Sequence, residues 1–403
     1  MSRIPRWLVV LMLVGSALGL DAGVGMIPAR GQTQEPEPQP PAPPFRRPDF
    51  PRRPQIPRRP GAFANRPGPT ARPGAAQPKP PRYVMEVTGS KRVVGVYRSQ
   101  LYTTNAPASQ WEVYFPAATE MSRQKSVKSS MEPSGGTVGD ASRAHRPVMK
   151  ARIPVESLEG RQNVTVVVHY EGTLLARKLV PVGPGQAVTP VQPLNFMENF
   201  TYLGSTPTLD FRSTTFHSWL EQNQFLRGEG EGDVEFARRV YTAMLPMFGY
   251  RDGVDPAPVS TLCGTGVLDC DTLSLVFVGA LRAAGVPARV VYGWPTRPLR
   301  HEPGRPLSGH TQAEFFAEGT GWVPVDLAYG VTHRDDDPMR YFGADGGDLL
   351  VVQVDPDYMV PHPNGTIERI VSIHPGPTSW AKGESKPDVA IRPLSWDVEV
   401  SPQ

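Results

Sequence analysis

A thiol, an imidazole and a carboxylate in the C-terminal half of the chain have the spacing of a nucleophilic site. Cys270 stands in the stretch Leu268–Trp294, His310 follows forty residues later, and Asp326 sixteen beyond that. A free thiol titrates near ~8.5, and a helix N-terminus or a neighbouring imidazolium can lower that to ~3.5–7.5. Asp269 and Asp271 flank Cys270 and oppose a thiolate unless they cap backbone or point outward. Activation therefore rests on a basic partner, and His310 is the candidate. A carboxylate that orients the ring completes a Cys–His–Asp site able to attack an amide carbonyl.

The local pattern supplies the elements that must hold these groups. Asp269 can cap a helix whose first residue is Cys270, and Asp271 to Ala284 is apolar except for a thin stripe of Asp271, Ser274 and Arg282. Such a helix is buried centrally rather than laid on a surface. Gly285 and Pro287 stop it, and Ala288 to Trp294 leaves as a strand. Two further strands, His310–Phe316 and Gly321–Leu327, flank a turn at Glu318-Gly319. If Phe316 faces Thr320 across a three-residue loop, His310 faces Asp326 on the same side of the hairpin. A one-residue slip would put the two on opposite faces.

Cys270 with Arg282-Ala283-Ala284-Gly285-Val286-Pro287-Ala288-Arg289 resembles the transglutaminase-like superfamily. So do His310 with Glu314, then Gly321-Trp322-Val323-Pro324-Val325-Asp326, and the later Tyr341-Phe342-Gly343. The resemblance covers about residues 205–350, and its blocks occur in family order. It implies an α+β fold with a papain-like core, in which the Cys-bearing helix packs on an antiparallel sheet. It also implies that Cys270 is the nucleophile, His310 the base and Asp326 the orienter; a protein or peptide amide is the expected substrate, and no cofactor or metal is expected. One departure stands out: the family usually places an aromatic two residues after the histidine, and here Gln312 stands there.

Blander readings compete with each of these. Cys263 lies seven residues before Cys270, and a bridge between them would silence the nucleophile. Cys270 could be a core cysteine and His310 a structural strand histidine. His301 and His333 are fallback bases without a carboxylate in hairpin register. The run Asp335-Asp336-Asp337 reads as a solvated loop rather than a calcium site. No phosphate-cradling glycine loop, Cys/His metal spacing or serine elbow is present in the sequence.

The rest of the chain sets the context. Of its 403 residues, 47 are proline, and 17 of these fall in residues 31–82. That segment carries ten Lys/Arg against three Asp/Glu, so it is +7; residues 1–30 are +2, and the overall +3 leaves −6 for residues 83–403. Nucleic acid is therefore not an expected partner of the body. Arg3 and Arg6 ahead of the apolar run Trp7–Leu20 read as a secretory signal over residues 1–30, so the body is expected to be exported to the periplasm, cell envelope or exterior. Residues 31–82 read as a disordered Pro/Arg-rich linker. Its Arg-Arg-Pro triplets at 46, 52 and 58 repeat every six residues, which suits a self-repelling spacer or a ribbon for anionic envelope polymer or lipid.

Residues 83–190 read as a β-sandwich-like accessory domain. Val164 to Tyr170 forms a strand, Gly172-Thr173 a turn, Leu174 to Val180 the return strand, and residues 122–143 a loop without chemistry. Residues 195–375 form the transglutaminase-like domain, where Val234, Ala237, Val240, Tyr241 and Met244 lie at helical spacing after Asp233. Residues 376–403 are expected to be a tail. The resulting expectation is an exported cysteine-dependent acyl transfer enzyme, by amide hydrolysis or glutamine–amine transfer. The alternative is a catalytically idle envelope module for binding or assembly.

Overall fold

A computed structural model describes residues 81–142, 144–154, 163–300, 307–383 and 388–403. The expected signal, the linker up to residue 80 and His301 lie outside these. The described residues fall in one compact unit.

Six strands open it: β1 (Tyr83–Thr103), β2 (Gln110–Pro116), β3 (Gln124–Glu132), β4 (Thr137–Gly139), β5 (Pro147–Pro154) and β6 (Asn163–Pro181). From Val93 to Leu101, β1 buries every second residue, the signature of a strand with one dry face. β6 runs antiparallel along it, from Tyr83 opposite Pro181 to Tyr102 opposite Asn163. The turn expected at Gly172-Thr173 does not form. Gly172 instead admits the Val127 side chain of β3, which a Cβ there would meet at 3.1 Å. A partner as long as β1 keeps β6 extended through the glycine. The expected loop at 122–143 contains β3 and β4.

The helices and small strands come next in the chain: α1 (Phe196–Tyr202), α2 (Thr214–Gln222), α3 (Asp233–Met244), β7 (Gly249–Tyr250), α4 (Val259–Leu262), β8 (Val267–Leu268) and α5 (Cys270–Ala283). All five apolar positions expected on one side of α3 are buried. Every residue of α5 from Thr272 to Arg282 is buried, as an all-round apolar helix must be. Then follow β9 (Ala288–Pro295), β10 (Leu299–Arg300), β11 (His310–Ala317), β12 (Gly321–Val325), α6 (Leu327–Thr332), β13 (Ala344–Asp345) and β14 (Leu349–Val354).

Strands β12-β11-β9-β14 form an antiparallel sheet whose one face packs on α5. Val290, Tyr292, Ala313 and Phe315 join the α5 side chains in a common core.

The chain ends with β15 (Tyr358–Pro361), β16 (Ile367–Ile370), β17 (Thr378–Lys382) and β18 (Val389–Pro402). Where a tail was expected, β17 pairs with β2 and β18 pairs along β1 from Thr103 to Lys91. Two sheets result, β10-β18-β1-β6-β13 with β3 on β6, and β17-β2-β5-β4. They share a core of Tyr97, Trp111, Phe115, Val168 and Trp396. Trp294 and Leu350 from the α5-packed sheet enter that same core, so the two halves are cemented by apolar contact. Among the described residues no helix is long and apolar enough to cross a membrane.

Candidate active site

Cys270 is the first residue of α5, and Asp269 is the cap before it. The Asp269 carboxylate accepts from the Thr272 backbone N–H (2.9 Å) and hydroxyl (2.7 Å), while its own N–H donates to Thr272 Oγ1 (2.9 Å). The other oxygen accepts from the Val254 N–H at 3.0 Å. This box stabilises the helix start by about 1 kcal/mol. Cys270 and Cys263 are both free thiols; Cys263 is buried and donates to the Ser260 carbonyl at 3.5 Å.

On β11 the residues alternate between two faces. Thr311, Ala313 and Phe315 look toward α5, whereas Gln312 and Glu314 look toward Arg123 and Arg177. The Thr311 hydroxyl donates to Asp271, the residue after Cys270. The start of α5 is thereby held beside the residue that follows His310.

The hairpin register differs from the expected one. Phe316 pairs with Trp322 and Ala317 with Gly321, so the three-residue loop is Glu318-Gly319-Thr320, with Gly319 at φ 74° where glycine is favoured. The register has moved by two residues, and Asp326 lies level with Gln312 rather than with His310. An even shift keeps side chains on the same face. His310 still reaches Asp326 diagonally, with Nε2 2.6 Å from Oδ2. A carboxylate only accepts, so the proton of this bond sits on Nε2 and Nδ1 is the free nitrogen.

The carboxylate is fixed from three directions. Gln312 Nε2 donates to the same Oδ2 at 3.0 Å, and Tyr329 N–H donates to Oδ1 at 3.0 Å, because Asp326 is the N-cap of α6. The Tyr329 ring also stacks on the His310 ring, with centroids 4.9 Å apart. The short helix α6, which begins at Leu327 where the strand was expected to end, thus steadies both members of the pair.

A buried charge cluster backs this face. Glu314, fully buried, accepts from Arg289 (2.6 and 2.9 Å) and from Arg177 of β6 (2.9 Å), and Arg123 lies 3.7 Å away. Arg123 and Arg177 also approach Asp345 at 3.0 and 3.5 Å. Burial alone would raise the Glu314 pKa, but Arg289, Arg177 and Arg123 hold it down to about 2. Arg289 lies over the Trp322 ring at 3.8 Å.

Electrostatics divide the site. Burial, then Asp271 and Asp269, push the Cys270 thiol well above its ordinary value, against the Thr311 N–H. Burial would lower the His310 pKa, but the charge and hydrogen bond of Asp326, with Asp271 beyond, raise it above 6.5. The surroundings thus disfavour the Cys270 thiolate and favour the His310 imidazolium. Asp269 is consumed by capping, but Asp271 points inward, its Oδ1 accepting from Thr311 Oγ1 and facing Cys270 Sγ at 3.6 Å.

Burial first, then Asp269, raises the Asp271 carboxyl from 3.8 to about 6, against the Thr311 bond. The folded state thus binds a proton the unfolded state has released, so the cost is absent below about 3.8 and complete above about 6. His310 has the same sign, contributing stability below 6.5 that is lost as pH rises through its raised folded value. The stability of the parent relative to Asp271→Asn should fall by about 3 kcal/mol between pH 3.5 and 7. Urea midpoints across that range measure it; a flat difference would contradict the placement of Asp271.

The three predicted residues are brought to one end of α5 and the hairpin. Sequence reading missed Thr311, Tyr329, Arg123 and the inward turn of Asp271; Gln312 drew attention only as a departure from the family pattern. His333 binds the Tyr329 carbonyl at 3.1 Å and, among the described residues, no carboxylate. Asp335, Asp336 and Asp337 are exposed, Asp336 pairing with Arg340 at 3.5 Å, and no cluster suited to a metal ion occurs among the described residues.

Known proteins resemble parts of this chain. An uncharacterized protein of Haemophilus influenzae is 36% identical over 139 residues, spanning 29% of this chain and 31% of that protein. A crystal structure of a candidate cysteine protease from Cytophaga hutchinsonii superposes with a TM-score of 0.48 at 12% identity, covering 79% of this chain and 92% of that one. The periplasmic domain of TgpA from Pseudomonas aeruginosa gives 0.28 at 14% identity, covering 64% and 91%. Scores below 0.5 establish neither a shared fold nor a shared activity. Residues 221–327, the stretch that contains Cys270, His310 and Asp326, match the model of the transglutaminase-like superfamily.

Proposed function

We propose that the protein is a cysteine-dependent acyl transferase or hydrolase acting on protein or peptide amides through a thioester. The observation that carries the reading is the His310–Asp326 contact of 2.6 Å, on the strand whose Thr311 hydroxyl bonds the carboxylate of Asp271, the residue after Cys270. Cys270 Sγ attacks the amide carbonyl carbon, and the thiol proton passes to His310 Nδ1. The C–N bond then breaks, the amine leaves with that proton, and the acyl group remains on sulfur. Water or an amine adds next, giving its proton to His310, and the C–S bond breaks to restore the thiol. Asp326 steadies the imidazolium that exists between the proton transfers. Cys270, as the first helical residue, has a backbone N–H with no intrahelical acceptor, suited to the oxyanion.

We place this activity outside the cytoplasm, on the basic–apolar signal pattern of residues 1–30. In the same reading residues 31–82 are a spacer or an arm for anionic envelope polymer or lipid.

The test is incubation of the protein with a glutamine-containing protein and a tagged amine, beside a Cys270→Ala control. Thiol-dependent tag incorporation indicates transfer, and fragments or ammonia indicate hydrolysis. The absence of any Cys270-dependent product across substrates would favour the idle envelope module instead.

A further inference from the structure

Gln312 occupies the place where the family resemblance leads one to expect an aromatic ring, and it is hydrogen-bonded at both ends. Its Nε2 donates to Asp326 Oδ2 at 3.0 Å, and its Oε1 accepts from Arg123 Nη2 at 2.8 Å. Arg123 stands between β2 and β3, 189 residues away in sequence, and is 1% exposed. A guanidinium only donates and a carboxylate only accepts, so the amide between them has one workable orientation. Flipping it would set an NH₂ against the cation and a carbonyl oxygen against the anion, breaking both bonds. The Arg123 guanidinium is itself held by Asp345 at 3.0 Å and Glu314 at 3.7 Å.

We propose that Gln312 and Arg123 are positioning residues for the Asp326–His310 pair, so that the two-sheet half of the molecule completes the site through Arg123. The proposal rests on the roles given above to Cys270, His310 and Asp326. Its logic is directional. Asp326 Oδ2 is shared by His310 and Gln312, and Oδ1 is taken by the Tyr329 N–H, so the carboxylate cannot rotate without losing a bond. Gln312 is in turn pinned by a buried side chain that cannot move independently of the charge cluster. The positive charge of Arg123 also reaches His310, opposing the imidazolium that Asp326 favours. A ring at position 312 could fill the same space but could offer Asp326 no such amide donor.

Two variants of the full chain test this. Gln312→Leu removes both hydrogen bonds at similar volume. Gln312→Glu keeps an acceptor for Arg123 but sets a second negative charge against Asp326. Two readouts apply: steady-state kinetics on whichever amide substrate the parent turns over, and the titration of His310 followed by NMR of labelled histidine, which needs no activity. Gln312→Leu is expected to lower kcat about 10–100-fold, as loss of an outer-shell partner does, with KM within about twofold. Gln312→Glu should move the His310 titration upward by at least about one pH unit. A His310 titration unchanged in both folded variants would overturn the proposal. Shifted titration in a protein that turns over no substrate would support the positioning role and count against the enzymatic reading alone.

Discussion

Cys270→Ala is expected to reduce turnover of any amide substrate by at least roughly 10⁴-fold, while leaving the fold and melting temperature nearly unchanged. Members of a nucleophile–base–orienter set act as a unit, so losing the nucleophile alone costs about as much as losing all of it. The thiol contributes little to stability, because burial and the charges of Asp271 and Asp269 already disfavour its ionised form. Removing it creates no uncompensated charge. Cys263→Ala is the matched control: its thiol is buried and donates to the Ser260 carbonyl, so activity should persist. Rates for both variants, with near-ultraviolet circular dichroism for the fold, make the comparison. More than about 1% residual activity in Cys270→Ala would remove Cys270 from the nucleophile role.

Glu314→Ala is expected to destabilise the protein by about 3–5 kcal/mol, a large part of the 5–15 kcal/mol typical of a domain. The carboxylate is the shared counter-charge of Arg289 and Arg177, with Arg123 close by, and none of the four is more than 6% exposed. Breaking a buried ion cluster from one side leaves the remaining charges desolvated and unpaired. Activity should fall as well, since Glu314 lies two residues from Gln312 on the same face of β11. Urea unfolding of parent and variant gives the difference, and a loss below about 1 kcal/mol would show that the guanidiniums find other partners or water.

Much of the local architecture could be read from residue order. The Asp269 cap, the start of α5 at Cys270, the dry face of α3 and the strand leaving Ala288 depend on signals a few residues apart. Other readings failed for want of the partner strand. Gly172 resembled a turn residue until β1 and β3 were beside it, and residues 376–403 resembled a tail until β1 and β2 offered them open edges. Arg123 sat in a segment with no chemical pattern, because its partners are more than 180 residues away.

The sequence by itself determined which groups could react: a thiol at a helix start, and an imidazole and a carboxylate on two strands of one hairpin. Their pairing survived a two-residue error in the predicted register because an even shift leaves side chains on their face. Only the tertiary structure decided how the pair is held. α6 caps itself with Asp326, Tyr329 stacks on His310, and Gln312 joins Asp326 to Arg123 across the layer boundary. The physical reason is range: capping and periodicity act within a turn or two, whereas orienting a carboxylate takes hydrogen bonds from whichever chains the fold packs against it.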